Sequence, residues 1–442
     1  MKRILTTFVL FLVILLSAGT VLLLGNSILD AIRQPSGLKA ENASGGGLLL
    51  MSEEETSKAL ETTTQEPRSF EEGASSLKIA SEASEAVSAQ EEPEEEGRAE
   101  AEQEGETGYA YEQLDGEERT LYLELLRAII GFDENAQLSV WNLETIDRVF
   151  ACVLADHPEL FYVDGYTCTE HKLGEEVRGV TFSAGYTMTK EAAESKKEQI
   201  EKAVSRPLSL LTEDMEEYEK IRILYEDLLT HTEYQLDAPE NQNILSVFLY
   251  GRSVCQGYAK AFQYLCLRAG IPAVLAAGTA SGQPHAWTVV SCGGEWYHVD
   301  PTWGDASYRL AEEAAAADAS TDQPDWGLSY DYFLVDDDWI LTTHTIDNPF
   351  PLPACSSLDN NYYVRSNAYF TSFDQERAEA LFQEAYAQGQ TQLTLKCADV
   401  EVYEAFVQHL ITDQEIFSYL QNGASTAAYS LSADQYTLTF WL

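Results

Sequence analysis

Residues 252–305 constrain the fold of this chain more than any other stretch, because they predict a helix followed by a two-stranded hairpin. Cys255 precedes a run whose apolar residues repeat at three- and four-residue steps, which is helical spacing, and a Gly-Ile-Pro sequence ends that run. Two runs rich in branched and aromatic residues follow, HAWTVV from His285 and EWYHVD up to Asp300. The turn sequence CGG between them predicts that they pair as antiparallel strands.

Three residues on these elements are of the types that carry out acyl transfer: Cys255 as nucleophile, His285 as base and Asp300 as orienting group. A thiol attacks only as the thiolate, and a helix N-terminus favours the thiolate through its unpaired N–H groups and positive dipole end. His285 and Asp300 fall on neighbouring strands, where side chains on one face lie close together. His298 competes with His285 for the role of base, because it shares a strand face with Asp300.

Each of these residues also has a structural interpretation. A cysteine before a helix commonly packs in the core, a histidine on a strand is commonly structural, and an aspartate before a proline is a common turn residue. The spacing alone leaves the catalytic and the structural interpretations equally open.

The sequence predicts no metal site and no cofactor. The seven cysteines are scattered, with no C-x-x-C pair and no histidine at zinc-ligand spacing. The run Asp336 to Asp338 is consecutive and lacks the alternating ligands of a calcium loop, which favours a solvated turn.

The same stretch resembles the core of the transglutaminase-like superfamily of papain-type cysteine enzymes. SVCQGYAKAFQYLCLRAGIPA, HAWTVV and WYHVDPTWGD match, in order, its V-C-x-G-[YFW]-[AS], H-[AC]-W and D-P-[TS]-W motifs. The resemblance covers about residues 215–350. It implies an α+β, papain-like core, in which a helix carrying the cysteine packs on an antiparallel sheet carrying the histidine and the aspartate, with small α+β segments on either side.

This resemblance also implies roles for individual residues. Cys255 is expected to be the nucleophile, His285 the base and Asp300 the orienting group, while His298 matches a non-catalytic position. Six further residues are expected to line the site or to stabilise the oxyanion, with the backbone N–H of Cys255 as a second oxyanion donor. They are Gly257, Trp287, Trp303, Asn243, Ser246 and Tyr250.

The implied function is that of an extracytoplasmic cysteine acyl-transfer enzyme, which acts on peptide or protein amide bonds at the cell surface through a thioester on Cys255. Hydrolysis, as in a protease or amidase, is slightly favoured over transamidation. The alternative is a catalytically silent surface binding module with the same fold.

Export is predicted by the N-terminal region, residues 1–30. Lys2 and Arg3 precede an apolar run that ends at Leu24 and has about the length that spans a bilayer as a helix. We expect a signal anchor of a bacterial, single-pass membrane protein with a cytoplasmic N-terminus. Secretion after cleavage of a signal peptide is the alternative.

Residues 31–110 form an acidic stretch with few aromatic residues, and we expect this linker to be disordered. The formal net charge of the chain is −46, which argues against nucleic acid and anionic lipid as partners. Contact with the membrane is therefore expected through the N-terminal helix only.

The remaining chain is divided into an N-terminal α+β domain (111–206), a catalytic domain (207–355) and a C-terminal α+β domain (356–442). Two local predictions are specific enough to test. Thr212 is expected to cap the helix that leads into the catalytic domain. The run NYYVRSNAYF is expected to form a strand.

Overall fold

The computed structural model describes residues 49–52, 108–173, 176–306, 308, 327–421 and 423–442, all within one compact unit. The predicted signal anchor and nearly all of the predicted acidic linker lie outside the described residues. Within the described ranges, no helix has both the length and the apolar character needed to cross a bilayer.

The N-terminal region consists of helices packed beside a three-stranded antiparallel sheet in the order β2–β4–β3. Its helices are α1 (Tyr109–Glu112), α2 (Gly116–Gly131), α3 (Leu143–Asp156) and α4 (Lys190–Leu208). Its strands are β2 (Ala136–Leu138), β3 (Val163–Leu173) and β4 (Glu176–Tyr186), while the preceding strand β1 (Leu49–Ser52) belongs to the C-terminal sheet. Local sequence sets these boundaries: Asp115, for example, begins α2 with a reciprocal capping box that includes Glu118.

The central region is built around the predicted helix and hairpin. Its helices are α5 (Glu217–Thr230), α6 (Ile244–Tyr250), α7 (Cys255–Arg268), α8 (Pro301–Gly304) and α9 (Asp337–Ile340). Two short strands, β5 (Glu233–Tyr234) and β6 (Arg252–Ser253), pair in parallel before α7. The remaining strands form an antiparallel sheet in the order β10–β9–β8–β7–β11. They are β7 (Ala273–Ala280), β8 (Gln283–Cys292), β9 (Glu295–Val299), β10 (Phe333–Val335) and β11 (His344–Ile346).

The C-terminal region adds a second five-stranded sheet, in the order β1–β14–β15–β13–β12. Its helices are α10 (Tyr362–Arg365), α11 (Gln375–Ala387), α12 (Val400–Val407), which continues into a π-helical turn (Gln408–Thr412), and α13 (Ile416–Tyr419). Its strands are β12 (Tyr369–Phe370), β13 (Gln392–Cys397), β14 (Thr426–Ser432) and β15 (Thr437–Trp441), and only the β12–β13 pair is parallel.

Alternating residues of β8 enter two different hydrophobic cores, as the period of a strand requires. Ala286 and Val290 belong to a core shared by the N-terminal region and helix α7. Trp287 and Val289 belong to a second core shared with the C-terminal region. Each face of the central sheet is therefore covered. The first core extends across the predicted domain boundary near residue 206, and the second extends across the one near residue 355.

The α+β fold class, with the cysteine-bearing helix packed on the antiparallel sheet, is confirmed, and two local predictions are wrong. Helix α5 begins at Glu217 instead of following Thr212, whose hydroxyl donates to Asp214 Oδ1 at 2.5 Å and so closes a local turn. The side chain of Asn361 accepts hydrogen bonds from the N–H groups of Tyr363 and Val364 and begins helix α10, so most of NYYVRSNAYF is not a strand.

Candidate active site

Cys255 is the first residue of helix α7, which begins after Val254 with no side-chain cap. The first N–H groups of a helix have no acceptor within the helix, and their positive end therefore faces the thiol. All seven cysteines lie in the described residues and are free thiols, and Cys255 alone among them is partly exposed while the other six are buried.

His285 lies near the beginning of β8, and Asp300 directly follows β9. The Nε2 atom of His285 is 2.7 Å from Oδ2 of Asp300. The other carboxylate oxygen, Oδ1, accepts from the backbone N–H groups of Thr302 at 2.9 Å and Trp303 at 3.3 Å, which makes Asp300 the N-cap of α8. This cap fixes the orientation of the carboxylate, because α8 begins with Pro301 immediately after it.

The electrostatics of this pair favour a charged imidazole and a charged carboxylate. Burial opposes ionisation of both groups. For His285, the charge of Asp300 and the hydrogen bonds with Asp300 and Cys255 outweigh burial and raise the pKa to about 10. For Asp300, the charge of His285 and hydrogen bonds from two histidines hold the pKa well below its usual range.

The imidazole of His285 lies between the thiol and the carboxylate. An ionised carboxylate can only accept, so Nε2 of His285 carries a proton and donates it to Asp300. A side-chain hydrogen bond also joins His285 to Cys255, and Nδ1 is the ring nitrogen left to make it. The structure therefore brings together the three residues that the motifs single out, in the order thiol, imidazole and carboxylate.

A second histidine, which the sequence analysis did not single out, contacts the same carboxylate. Nε2 of His344 is 3.2 Å from Oδ2 of Asp300, and both side chains are fully buried. His344 begins the edge strand β11, opposite Ala280 of β7. A three-residue strand carries no recognisable alternation, and His344 lies 44 positions after Asp300, so no local pattern links the two residues.

His298, the competing histidine, does not face the thiol. Its Nδ1 accepts from the indole N–H of Trp287 at 2.9 Å, and its Nε2 lies 2.9 Å from Oδ1 of Asp337. Both ring nitrogens are thus occupied on the side of the sheet that faces the C-terminal region. Asp337 in turn accepts from the backbone N–H of Cys355 at 3.0 Å, so this group ties two segments together.

Among the residues that the structure describes, two groups of side chains have potential metal-ligand atoms close together: His285, Asp300 and His344, and His298, Asp337 and Cys355. Their hydrogen bonds argue against binding of a cation. Because Trp287 can only donate to Nδ1 of His298, a neutral His298 carries its proton on Nε2. In the first group, the Nε2 atoms of both histidines donate to Asp300 and are likewise protonated.

The two tryptophans that were expected to line the site do lie beside His285. The ring of Trp287 is stacked with the imidazole at a centroid distance of 6.2 Å, and the ring of Trp303 is 6.3 Å away at an inclined angle. Trp287 is fully buried, so it supports the imidazole from behind and cannot itself contact a substrate. Trp303 is partly exposed.

Gly257, which was expected to leave room for a substrate, lies against the protein's own side chains. A Cβ atom at this position would overlap Oγ of Ser253 and would come within 2.8 Å of Oγ of Ser246 and 3.0 Å of the carbonyl oxygen of Asn241. Gly257 is buried on the side of α7 that packs against α6 and β6. The missing side chain permits close packing of the protein itself.

The three upstream oxyanion candidates are also not supported by their surroundings. The side chain of Asn243 caps α6 and donates to Phe161 O and to Glu240. Ser246 is fully buried, donates to the carbonyl of Asn243 at 2.7 Å and contacts Ser253. Tyr250 is exposed, and its ring lies beneath the ammonium group of Lys196. These side chains are engaged in capping, buried hydrogen bonding or a surface contact.

Comparison with known proteins finds a family match in the central region. Residues 206–301 match the model of the transglutaminase-like superfamily. In this stretch the chain is similar to that superfamily. The matched residues include Cys255, His285 and Asp300.

Two curated relatives are kyphoscoliosis peptidase from Mus musculus and kyphoscoliosis peptidase from Homo sapiens. Each is 24% identical to this chain over 182 residues, which are 36% of this chain and 26% of the relative. The chain therefore spans about a quarter of the length of these relatives.

Among solved structures, similarity is found to the crystal structure of a TGase, with 14% identity, a TM-score of 0.24 and coverage of 38% of this chain and 55% of that one. Similarity is also found to the periplasmic domain of TgpA from Pseudomonas aeruginosa bound to ethylmercury. In that case the identity is 17%, the TM-score is 0.22, and the coverage is 31% of this chain and 59% of the other.

Proposed function

We propose that this protein is a cysteine acyl-transfer enzyme that acts on peptide or protein amide bonds. The observation that carries the proposal is the arrangement of His285, which is hydrogen-bonded to the thiol of Cys255 and to the carboxylate of Asp300. The thiolate is the attacking species in such enzymes, and the protonated imidazole beside it is the acid that the leaving amine requires. Asp300 keeps the imidazole in the required tautomer and orientation.

The reaction proceeds in two steps. The thiolate of Cys255 attacks the amide carbonyl, a C–S bond forms, and the C–N bond breaks as the leaving amine takes the proton from His285. This step leaves an acyl thioester on Cys255 and a neutral imidazole. His285 then removes a proton from the incoming nucleophile, which attacks the thioester carbon. The C–S bond breaks, the acyl product leaves, and the thiolate of Cys255 and the protonated imidazole are restored. Unpaired N–H groups at the start of α7 are positioned to stabilise the oxyanion.

We further propose that the incoming nucleophile is water, so that the enzyme is a peptidase or amidase. The name of the curated relatives, kyphoscoliosis peptidase, favours hydrolysis over transamidation. Products distinguish the two reactions: incubation of a peptide library with the full chain and a labelled primary amine yields cleaved peptides if water resolves the thioester. Incorporation of the amine without cleavage would instead identify a crosslinking enzyme.

We propose that the site acts outside the cytoplasm, on peptides or proteins at the surface of a bacterial cell. Support comes from the positively charged and apolar N-terminal segment followed by an acidic spacer. Protease added to intact cells should degrade the catalytic domain. Fractionation of untreated cells should recover the protein with the membrane. Release into the medium would indicate secretion after signal cleavage, and protection in intact cells would contradict the proposal.

The central claim is tested by labelling and turnover of the full chain. Iodoacetamide should modify one thiol in the native wild type and none in Cys255→Ala, as read by intact mass. A peptide amide library should be turned over by the wild type and not by Cys255→Ala. Equal modification of both proteins would overturn the assignment of the nucleophile. A labelled thiol with no turnover, together with equal binding of a surface partner by both proteins, would instead identify a catalytically silent binding module.

A further inference from the structure

The carboxylate of Asp300 accepts four hydrogen bonds inside the protein. Its Oδ1 atom accepts from two backbone N–H groups, and its Oδ2 atom accepts from His285 at 2.7 Å and from His344 at 3.2 Å. The carboxylate is fully buried, so none of these bonds competes with bulk water. His344 is therefore the one side chain, apart from His285 itself, that fixes Oδ2 in the described part of the site.

His344 is the near end of a buried chain of hydrogen bonds. Its Nδ1 atom is 2.8 Å from Oγ1 of Thr343, which is 2.8 Å from the hydroxyl oxygen of Tyr332. That hydroxyl oxygen accepts from Nε2 of Gln435 at 2.6 Å. Gln435 lies in the turn between β14 and β15, 103 positions after Tyr332. This series of hydrogen bonds therefore joins the C-terminal hairpin to the central sheet.

The carboxylate of Asp300 gives this series of hydrogen bonds a single direction. An ionised carboxylate can only accept, so a neutral His344 carries its proton on Nε2, which faces Asp300, and accepts at Nδ1. The single O–H of Thr343 then donates to Nδ1 of His344, so the O–H of Tyr332 donates to Thr343. The Tyr332 oxygen in turn accepts from the amide nitrogen of Gln435. Every donor in this series of hydrogen bonds thus points towards the carboxylate of Asp300, and successive hydrogen bonds polarise one another.

We propose that the buried relay Gln435–Tyr332–Thr343–His344 positions Asp300, with His344 as a positioning residue and the C-terminal hairpin as its distant support. The proposal rests on the proposed function, since it assigns a role relative to the triad. His344 does not touch a substrate. It acts by fixing the tautomer and position of its own donor, and hence the oxygen that orients His285.

Two features distinguish this role from ordinary core packing. A packing role needs shape alone, whereas the relay needs a donor at Nε2 of residue 344 and a hydroxyl at residue 343.

The titratable groups around the carboxylate are His285, His344 and Tyr332, with Cys255 beyond His285. A change in the donor of residue 344 should therefore alter the pH dependence of Cys255 reactivity, as well as its rate.

The test measures the rate of Cys255 alkylation by iodoacetamide as a function of pH in the full chain, for His344→Leu, His344→Gln and Thr343→Val. We expect His344→Leu to lower the rate at neutral pH about tenfold or more and to shift the pH midpoint. His344→Gln, which restores an N–H near Nε2, should recover most of the rate. Thr343→Val, which is nearly isosteric, should give a smaller loss in the same direction.

Thr279→Val is the matched control. Oγ1 of Thr279 is 2.8 Å from Oγ1 of Thr345. The substitution therefore removes a similar hydroxyl contact, between β7 and β11, that lies outside the relay. Thermal unfolding of every variant shows which of them fold. If His344→Leu does not fold, Thr343→Val and Gln435→Leu still decide the question.

Profiles of His344→Leu, or of Thr343→Val and Gln435→Leu, that overlay the wild type would overturn the relay while leaving the triad intact. Equal losses in His344→Gln and His344→Leu would also overturn it, because they would indicate shape alone. Failure of the proposed function looks different, since in that case the wild type itself shows no enhanced, pH-dependent reactivity at Cys255.

Discussion

The indole N–H of Trp287 donates to Nδ1 of His298 at 2.9 Å, with both side chains fully buried. The sequence places two histidines near Asp300, and this contact distinguishes their roles. His298 uses one nitrogen for Trp287 and the other for Asp337, whereas His285 has a nitrogen directed to the thiol. Trp287 also stacks against His285, so the non-catalytic histidine supports the catalytic site through the tryptophan that it fixes.

Replacement of His298 by leucine should therefore affect stability much more than the intrinsic reactivity of Cys255. The substitution leaves the indole N–H of Trp287 buried without an acceptor and removes the bond to Asp337, at a cost of about 2–3 kcal/mol in the free energy of unfolding. Urea unfolding measures this cost. Exposed His231→Ala is the control and should change the free energy by less than about 0.5 kcal/mol. Loss of Cys255 labelling without loss of stability would contradict the structural role.

Asp300→Asn should reduce turnover of an amide substrate by about a thousandfold or more. The amide can present an N–H to His285, which then adopts the wrong tautomer and cannot accept the proton of the thiol. The fold should persist, because the Asn oxygen still caps α8. Steady-state kcat measures the effect, and Asp338→Asn, on the exposed first turn of α9, should retain the wild-type value. An unchanged kcat in Asp300→Asn would exclude an orienting role.

The His285–Asp300 pair should make stability depend on pH in a defined window. The folded pKa of His285, about 10, lies above the unfolded value of about 6.5, so its contribution is complete below about pH 6.5 and is lost as pH rises towards 10. The pKa of Asp300 is lowered, so its contribution is present above about pH 4 and is lost in acid.

The free energy of unfolding of the wild type relative to His285→Gln should thus be greatest between about pH 4 and 6.5. It should decline by about 1.4 kcal/mol or more between pH 6.5 and 10, the equivalent of at least one pKa unit. Urea unfolding at several pH values provides the measurement, with His171→Gln as the control histidine. Parallel curves for the wild type and His285→Gln would show that the pair contributes no linkage.

Gly257→Ala should destabilise the protein by about 1–3 kcal/mol, because the added methyl group overlaps the hydroxyl of Ser253 in a packed interior. Gly116→Ala is the matched control: a Cβ atom at this first residue of α2 meets open space, and alanine favours the helix. Thermal unfolding compares the two. If Gly257→Ala were as stable as the wild type but failed to bind substrate, the glycine would belong to the substrate site after all.

The sequence predicted the parts of the site that depend on local pattern. Helix α7 is found over Cys255–Arg268 because its apolar residues follow helical spacing, and β8 and β9 pair as the hairpin sequence requires. Asp300 and His285 are then close because register places neighbouring strands side by side. The family motifs supplied the roles, which neither periodicity nor spacing could assign.

The parts that were missed depend on long-range packing. His344 reaches Asp300 from an edge strand of three residues, and Gln435 reaches Tyr332 from the C-terminal hairpin, so neither contact has a local signature. The close packing at Gly257 could not be predicted either, because a glycine permits both the approach of a ligand and the approach of the protein's own side chains. Thr212 was misassigned because its hydroxyl closes a turn before α5 begins.

A buried carboxylate far from the site provides a last prediction, for the N-terminal region. Asp156, at the end of α3, accepts from the backbone N–H groups of Ala110 and Tyr111 at 2.9 Å each and from the hydroxyl of Tyr122 at 3.0 Å. It therefore holds α1 against α2 and α3.

Asp156→Ala leaves these three donors buried without an acceptor and should lower the free energy of unfolding by about 3 kcal/mol or more. Asp156→Asn should cost less, because one amide oxygen can still accept while its NH2 group cannot. The control is Asp147→Ala, which loses only an exposed contact with Tyr166 and should change the value by about 0.5 kcal/mol or less. Urea unfolding should rank the three variants in this order. Equal losses in Asp156→Ala and Asp147→Ala would mean that water reaches the end of α3 and satisfies the donors of α1, in which case the N-terminal region would not be anchored through this carboxylate.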